Sequence, residues 1–323
     1  MSVNCNSCLG VSVVIPAYNY ARFLRDAVSS ALDQQWSPME VLVVDDGSTD
    51  ETPTLLAGLL DPRLRVIRQE NAGLSAARNK GIREARHELI AFLDADDRWG
   101  PDFLSTVAGR FTELSAEFAI VASGWQRITH DGVLVAQPGR IVAPANVLTA
   151  RDFIIRNWVF PSAVVARKSA FAECGEFDTT LRSSEDRDMW IRITSRYRAA
   201  YIDKPLVHIR RHGDNMSKNA VRMRQNTGMT LGKAWKAGTV SRLNLLFWAR
   251  SRAVFEYSSA WTHFSAGQRG TALRYLAYSF LLCPFFIRPS RLGERPLFRL
   301  RALRNFLVSK AVAPTLKPIA AEK

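Results

Sequence analysis

The fold is decided by the stretch ELIAFLDADD, residues 88–97, in which an apolar segment ends abruptly in carboxylates. Residues 89–93 contain no polar position, so we predict a strand buried on both faces, as strands of a parallel sheet are. Asp94, Asp96 and Asp97 then stand at its carboxyl end, the edge where open α/β sheets bind ligands. Neighbouring like charges repel unless a cation lies among them, which favours a divalent ion with oxygen ligands. An acidic turn with a helix N-cap at Asp97 explains these residues equally well at this point.

Apolar strands alternate with helical patterns before this stretch, which is typical of βαβ units. Pro16, Tyr18 and Asn19 close the first strand, and Asp45 and Asp46 follow the second. If these strands are neighbours, one cleft receives an aromatic ring, an amide and five carboxylates, a set that suits a base, a sugar and a metal-bound diphosphate. We predict strands over residues 11–15, 41–44, 64–67 and 89–93. We predict helices over residues 21–34 and 75–85, and a further helix that follows the N-cap types at 48–50 and ends at residue 60.

The pattern of the later chain is less regular, and its last third loses nearly all strand signals. Lys, Arg, Ala, Leu and aromatic residues there recur at helical spacing. We predict a strand over residues 118–123, a hairpin turn at Asp131–Gly132 with its return at 133–135, and helices over residues 149–157 and 186–196. The sequence therefore predicts a flexible N-terminus over residues 1–10, an α/β domain over 11–219 and an all-helical basic region over 220–323.

Charge is distributed unevenly along the 323 residues, which have a net charge of +14. Residues 208–323 contain 21 Lys and Arg but 4 Asp and Glu, whereas residues 1–207 contain 23 and 26. A nearly neutral first part is joined to a strongly basic one, which indicates an anionic partner for the second. The hydrophobic content of 47% is that of an ordinary folded protein and excludes a disordered one.

The cysteines and the apolar stretches bear on cellular location. Cys5 and Cys8 lack the second pair that a structural zinc site needs, so free thiols and a reducing compartment are expected. The N-terminus shows no basic region followed by an apolar stretch, so we expect no secretory signal. Residues 275–287 form the longest strongly apolar stretch, shorter than the ~20 residues that span a bilayer. These features favour a cytoplasmic protein.

Five motifs resemble those of family 2 glycosyltransferases, in the same order and at compatible spacing. They are VSVVIPAYN at 11–19, VVDDGSTD at 43–50, NAGLSAARNKG at 71–81, FLDADD at 92–97 and SEDRDMWIR at 184–192. The resemblance implies a GT-A fold for the α/β domain, with a mostly parallel sheet flanked by helices. It also implies an inverting enzyme that moves a sugar from a nucleoside-diphosphate donor to an acceptor hydroxyl.

The resemblance further implies a nucleotide site. Asp46 would accept a hydrogen bond from the imide nitrogen of uracil, which cytosine cannot offer, so UDP is the expected carrier. The alternative for Asp45 and Asp46 is a turn with capping function, because Asp before Gly is a common turn signal, and the alternative for Arg78 is a solvated helix position. The expected nucleotide-binding residues are Pro16, Tyr18, Asn19, Asp46, Arg78, Asn79 and Asp94, with Asn71, Gly73, Arg210 and Arg211 near the diphosphate.

The same resemblance implies a metal site. Asp94 and Asp96 form the family's metal-binding pair, with Asp97 beside them, and Mg²⁺ or Mn²⁺ is the expected cofactor. The ion would take up the charge that develops as the leaving group departs. His212 falls where many relatives place a histidine near the metal or the diphosphate, although a histidine in a basic loop is also typical of plain surface.

Asp186 matches the position that removes the proton from the acceptor hydroxyl. Its place at a predicted helix N-terminus favours the ionised carboxylate and so a base competent at neutral pH. Residues 183–186 could also simply start and cap that helix. Four aromatic residues either shape an acceptor pocket or belong to the core: Trp125, Trp158, Phe160 and Trp190.

The basic C-terminal region leaves two interpretations open. Residues 298–307 alternate Phe and Leu with Arg in the pattern of an amphipathic helix that lies on anionic membranes. The alternative is a helical subdomain whose apolar faces pack together while its arginines are solvated. Nucleic acid is a weaker explanation because no recognised binding motif accompanies the charge.

We therefore predict a glycosyltransferase of lipid-linked or cell-surface glycan assembly, attached peripherally to the inner face of a membrane. A sugar nucleotidyltransferase is a second interpretation, but it needs a Gly-rich basic phosphate loop that the first motif lacks. A third is an inactive glycan-binding or scaffolding protein on the same fold, against which the intact Asp94, Asp96 and Asp186 argue.

Overall fold

The computed structural model describes residues 9–135, 143–213, 219–284 and 297–308, so Cys5, Cys8 and most of the predicted flexible N-terminus lie outside the described residues. The strands are β1 (Val11–Ala17), β2 (Met39–Asp45), β3 (Leu64–Arg68), β4 (Leu89–Phe92), β5 (Arg98–Trp99), β6 (Phe118–Ile128), β7 (Val147–Leu148), β8 (Val164–Arg167) and β9 (Arg198–Arg210). The helices are α1 (Ala21–Leu32), α2 (Thr52–Ala57), α3 (Leu74–Glu84), α4 (Phe103–Val107), α5 (Ala150–Ile155), α6 (Lys168–Cys174), α7 (Glu185–Thr194), α8 (Ala220–Lys236), α9 (Leu245–Ser265), α10 (Arg269–Leu282) and α11 (Phe298–Val308).

The nine strands form one sheet in the order β3-β2-β1-β4-β8-β6-β9-β5, with β7 paired to β9. Strands β1 to β4 are parallel to one another, as predicted from their apolar runs. Strand β8 then enters antiparallel between β4 and β6, while β6 and β9 are again parallel. The sheet is therefore parallel from β3 to β4 and mixed beyond β4. The carboxyl ends of β1, β2 and β4 meet at one edge, as the sequence predicts.

Two hydrophobic cores cover the two faces of the sheet, because successive side chains of a strand point to opposite faces. Val13, Val41 and Ala91 pack on the face covered by α1, α2 and α4. Phe92 packs on the other face, among Trp190 of α7 and the apolar residues of α3, α5 and α6. Strand β4 is buried on both sides, as the uninterrupted run of apolar residues predicts.

Strand β1 passes through Pro16, where the sequence analysis expects it to stop. Pro16 stays in register with Val44 of β2. Pairing of β1 with β4 has already ended at Val14, whose carbonyl accepts the N–H of Leu93. Backbone groups of alternate residues point to the same side, so the missing N–H of Pro16 faces the side without a partner strand.

The described residues after residue 219 are helical, as predicted, and they pack on the α/β part without a break in the core. Leu231 of α8 and Phe255 of α9 share the core of α5 and α7. Helices α9, α10 and α11 enclose a further core that buries Phe298 and Phe306. Arg299 is buried and donates to the carbonyls of Ser279 and Cys283. The apolar faces of these helices therefore pack together, as one of the two interpretations expects, whereas the buried Arg299 differs from the solvated arginines of that interpretation.

None of the helices within the four described ranges is both long enough and apolar enough to cross a bilayer.

Candidate functional site

One cavity of about 710 Å³ opens at the carboxyl edge of the sheet. It is lined from the ends of β1, β2 and β4 on one side and from β6, β9, α8 and α9 on the other. Asp96 and Asp186 both open onto it, although they are far apart in the sequence. The convergence of these two carboxylates, on which the predicted chemistry depends, is therefore present.

Pro16 and Tyr18 line the end of the cavity at β1. Asn19 does not lie among the lining residues. Its Oδ1 instead accepts the backbone N–H of Thr49 at 2.8 Å and of Asp50 at 3.3 Å. The Asn19 amide, which is predicted to contact the nucleoside, thus connects the loop after β1 to the loop after β2.

Asp46 opens onto the cavity, but Asp45 does not. Asp45 Oδ1 accepts the backbone N–H of Ser48 at 2.9 Å, which is the turn contact that the alternative interpretation predicts. Four of the five expected strand-end carboxylates therefore share the cleft. Asp46 also fixes the next loop, because its oxygens accept the backbone N–H groups of Ala72 at 3.0 Å and Gly73 at 2.8 Å.

Arg78 is 1% exposed and is not a solvated helix residue. Its guanidinium donates to Asp94 Oδ1 at 2.6 Å and to Glu185 Oε1 at 2.8 Å. The two buried contacts join the end of β4 to the start of α7. Asn79 lies outside the cavity lining, where its amide exchanges two hydrogen bonds of 2.9 Å with the backbone of Phe177. In this structure the Asn79 amide therefore holds the backbone at Phe177, whereas the sequence predicts a contact between Asn79 and the diphosphate.

The three carboxylates after β4 do not point to one centre. Asp97 is directed inward, where its carboxylate accepts hydrogen bonds from the Ser162 hydroxyl at 2.6 Å and from the backbone N–H of Arg210 at 3.0 Å. Burial raises the pKa of Asp97 well above its usual value, and the charges of Asp96 and Asp94 raise it further. The pKa of Asp94 is also raised, first by burial, although Arg78 opposes the shift. This mutual repulsion identifies a place where positive charge is favourable.

His212 Nε2 lies 2.8 Å from Asp96 Oδ2. The histidine is buried and is not plain surface. Across the described ranges, no three His, Cys, Asp or Glu side chains lie close enough to hold a metal ion by themselves. A magnesium ion is usually bound by one or two carboxylates together with substrate phosphates. Asp96 with His212, beside carboxylates that repel one another, fits such a partial ligand set, whereas the expected trio with Asp97 does not.

Asp186 lies in the first turn of α7, where it accepts the Nδ2–H of Asn157 at 2.8 Å. Burial, with the adjacent charge of Glu185, raises the pKa of Asp186 to about 7. The helix N-terminus by itself predicts that the ionised form of Asp186 is favoured. The predicted direction of the pKa shift is wrong, because the loss of solvent around Asp186 outweighs the helix N-terminus and the hydrogen bonds.

The aromatic residues divide between the two interpretations. Trp125 and Phe160 line the cavity and meet edge to face with ring centroids 5.0 Å apart. Trp158 and Trp190 are buried in the core. Trp125 and Phe160 therefore form an aromatic wall of the cavity, in which Phe160 is the more exposed ring and could contact a sugar.

Several site residues were not found from the sequence, notably Asn157, Glu185 as the partner of Arg78, and the wall of the cavity that α8 and α9 supply. Thr227 of α8 shares a 2.8 Å hydrogen bond between hydroxyls with Ser184, next to the start of α7. No local sequence pattern predicts these hydrogen bonds, because each joins residues that lie 29 to 107 positions apart in the sequence.

The model of the family described as glycosyl transferase family 2 matches residues 12–137. An uncharacterized protein, MT1568, of Mycobacterium tuberculosis is 30% identical over 217 residues, covering 62% of this chain and 67% of that protein. An uncharacterized glycosyltransferase of Rickettsia bellii is 30% identical over 216 residues, which is 64% of this chain and 31% of that protein. The chain thus spans about a third of the length of this relative.

Two solved structures share the fold. The mannosyltransferase PcManGT of Pyrobaculum calidifontis, in complex with GDP-Man and Mn²⁺, has a TM-score of 0.58 at 18% identity and covers 94% of this chain and 88% of its own. Staphylococcus aureus TarS 1–349, in complex with UDP-GlcNAc, has a TM-score of 0.55 at 18% identity, with coverage of 85% and 89%. With the relatives and the ordered motifs around the cavity, these findings show that the chain belongs to glycosyltransferase family 2 and has the GT-A fold.

Proposed function

We propose that this chain transfers a sugar from a nucleoside-diphosphate donor, with UDP as the favoured carrier, to an acceptor hydroxyl with inversion at the anomeric carbon. The observation that supports the proposal most directly is the shared cavity of Asp96 and Asp186. One carboxylate lies where a diphosphate and its cation would meet the β4 edge. The other lies across the cavity, where an acceptor would enter.

The nucleoside would lie between Pro16 and Tyr18 and the carboxylate of Asp46. An ionised carboxylate offers about four lone-pair sites, so Asp46 can accept the uracil imide N–H in addition to its present partners. TarS was solved with UDP-GlcNAc and PcManGT with GDP-Man, so a guanine nucleotide is the competing donor to include in a screen.

A divalent cation would be held by Asp96, with His212 beside it and the donor phosphates completing the ligand set. Such an ion neutralises the charge of the departing diphosphate. Arg78 keeps Asp94 and Glu185 compensated from the buried side, so that the charge at the cavity surface is set by Asp96 and the donor.

Asp186 would act as the general base in its ionised form. The acceptor hydroxyl gives its proton to Asp186 as its oxygen forms a bond to the anomeric carbon, and the bond from that carbon to the diphosphate oxygen breaks. Attack from the face opposite the leaving group inverts the anomeric centre. A base whose pKa lies near 7 suits this task, because it combines proton affinity with a substantial ionised fraction at neutral pH.

The test is a titration of the purified chain with UDP and GDP in Mg²⁺ or Mn²⁺, followed by a screen of UDP-, dTDP- and GDP-sugars for release of the nucleoside diphosphate. Metal-dependent binding of one nucleotide and release from its sugar are the expected results. Release of pyrophosphate from a nucleoside triphosphate and a sugar phosphate would instead indicate a nucleotidyltransferase. Glycan binding without any turnover would indicate a scaffolding protein.

We also propose that the helical region contacts an anionic membrane during lipid-linked or surface glycan assembly. Leu243, Leu245 and Leu246, at the turn into α9, are 91%, 69% and 62% exposed. Trp235 of α8 and Trp248 of α9, on either side of this turn in the chain, have ring centroids 4.9 Å apart. Residues 220–255 contain no Asp or Glu. Exposed leucines together with tryptophans and basic residues suit the headgroup region of such a membrane.

A further inference from the structure

We propose that Arg127 and Arg211 form a subsite for a phosphate group on the acceptor. The inference rests on the proposed sugar transfer and adds the chemical class of the second substrate, a phosphate-bearing glycan. The phosphate would be bound on the wall of the cavity formed by β6 and β9.

The register of two strands places both guanidinium groups on one face. Arg127 of β6 is paired with Ile209 of β9, and the N–H of Arg211 donates to the carbonyl of Ile128 at 3.0 Å. Side chains alternate along a strand, so Arg127 and Arg211 project to the same side of the sheet, and both line the cavity. Arg210 projects to the other side, where it pairs with Asp26 at 2.9 Å.

Neither guanidinium is neutralised within the part of the chain that the structure describes. Arg78 and Arg224, which also line the cavity, are each paired with a carboxylate, Arg224 with Glu256 at 2.7 Å. Arg127 contacts the ring face of Trp125, and no hydrogen bond or ion pair involves its guanidinium or that of Arg211. Two uncompensated like charges on one wall are unfavourable until an anion lies between them.

The direction of the pKa shifts agrees with that geometry. Burial lowers the pKa of Arg127 to about 10, and the charge of Arg211 lowers it further. Arg127 remains cationic at neutral pH, so an anion bound beside it would relieve the repulsion between the two guanidinium groups.

The position of the pair favours the acceptor as the source of the phosphate. The nucleoside would lie at β1 and β2, whereas Arg127 lies on β6, beyond β8 in the strand order. Arg211 stands between Arg210 and His212, which contact Asp97 and Asp96, so Arg127 is the member of the pair that is farther from the β4 edge in the sheet. Trp125 precedes Arg127 by two residues on the same face and forms the aromatic wall with Phe160. A sugar ring packed on the exposed part of Phe160 would lie close to Trp125 and could direct a phosphate substituent toward Arg127.

The diphosphate of the donor is the other source of the same chemistry, and binding to the UDP-saturated chain distinguishes the two. The full chain with Mn²⁺ and saturating UDP would be titrated with glucose 1-phosphate and, as the neutral counterpart, with methyl glucoside. The variants would be Arg127→Gln and Arg211→Gln, with Arg198→Gln at the exposed start of β9 as the matched control. The Kd of UDP and the melting temperature would be measured for each.

We expect glucose 1-phosphate to bind the UDP complex at least about tenfold more tightly than methyl glucoside, and each cavity variant to lose about tenfold, since each removes one charge-assisted contact. The UDP Kd should change less than about twofold in Arg127→Gln, and the melting temperature of both variants should stay the same or rise because a repulsive charge is removed. Competition between glucose 1-phosphate and UDP, or an Arg127→Gln variant that weakens UDP binding instead, would overturn the proposal in favour of the donor diphosphate. Equal binding by all variants would also overturn it. If UDP itself does not bind, the proposed function fails, while the titration with glucose 1-phosphate alone still reports on the subsite.

Discussion

The Nη2 atom of Arg78 lies 2.6 Å from Oδ1 of Asp94, inside the protein, and joins the end of β4 to Glu185 at the start of α7. Replacing Arg78 with Met leaves Asp94 and Glu185 without a positive partner. Breaking a buried pair on one side costs about 3–5 kcal/mol, so we expect the free energy of unfolding to fall by that order. Arg83→Met on the same helix, whose partner Glu176 is exposed, is the control and should cost about 1 kcal/mol or less. Equal stability of the two variants in urea unfolding would show that the buried pair contributes nothing.

Asp186→Asn keeps the size of the side chain but removes the base. We expect the rate of sugar transfer to fall by about 10² to 10⁴, the usual contribution of general-base catalysis, while UDP still binds. Asp131→Asn, at an exposed hairpin turn, is the control for loss of an aspartate. Transfer at the wild-type rate by Asp186→Asn would remove this residue from the mechanism and support the scaffolding alternative.

The rate of transfer should rise with pH through about 7, because burial gives Asp186 a pKa near that value. At pH 6 only about one-tenth of the enzyme would carry the ionised base. Glu185→Gln removes a like charge that raises this pKa, so the midpoint of the pH profile should move to lower pH. Asn157→Ala removes a hydrogen bond that lowers it, so the midpoint should move to higher pH. Shifts in the same direction for both variants would contradict the assignment.

Asp96 and His212 are expected to determine metal-dependent nucleotide binding. Asp96→Asn should abolish the gain in UDP affinity on adding Mn²⁺, and His212→Ala should reduce it about 10- to 100-fold, the scale for residues that support a metal site. Binding measured in EDTA should change little in either variant. His208→Ala, on β9 but outside the cavity lining, is the control. A metal response that survives in Asp96→Asn would place the ion elsewhere.

The exposed leucines make a membrane test possible without altering the cavity. A triple substitution of Leu243, Leu245 and Leu246 with Ser should reduce sedimentation with anionic liposomes several-fold and leave the melting temperature close to that of the wild type. Leu60→Ser, at a residue 95% exposed beyond the end of α2, should leave sedimentation unchanged. Binding that depends only on salt and not on these leucines would indicate a purely electrostatic contact.

Much of the parallel part of the sheet, from β3 to β4, could be predicted because its sequence signals are short-range. The apolar runs of β1, β2 and β4 define buried parallel strands, and polar residues after each must then meet at one edge. Tyr18, Asp46 and Asp96 were placed in one cleft on that ground, and each lines the cavity. The predicted ends of helices differ from the observed ones by a few residues, since helix ends depend on local capping and fray.

Contacts across the fold could not be predicted in the same way. Asn19 and Asn79 are suited by type to bind a ligand, yet each bonds a neighbouring backbone. The direction of the Asp186 pKa was expected from the helix N-terminus, but burial and Glu185 dominate it. Desolvation depends on everything packed around a carboxylate, so no window of sequence contains that information.

By itself, the sequence determined the parallel strands, the edge at which their polar residues gather and the helical nature of the last third. Hydrophobic periodicity and turn chemistry act over a few residues and are written directly in the chain. Packing of distant segments joins Asp94 to Glu185 through Arg78 and completes the cavity with α8 and α9. It also brings Arg127 and Arg211 to one wall, where no carboxylate among the described residues pairs with either. These are matters of charge and solvent access between distant segments, and they exist only after packing has brought those segments together.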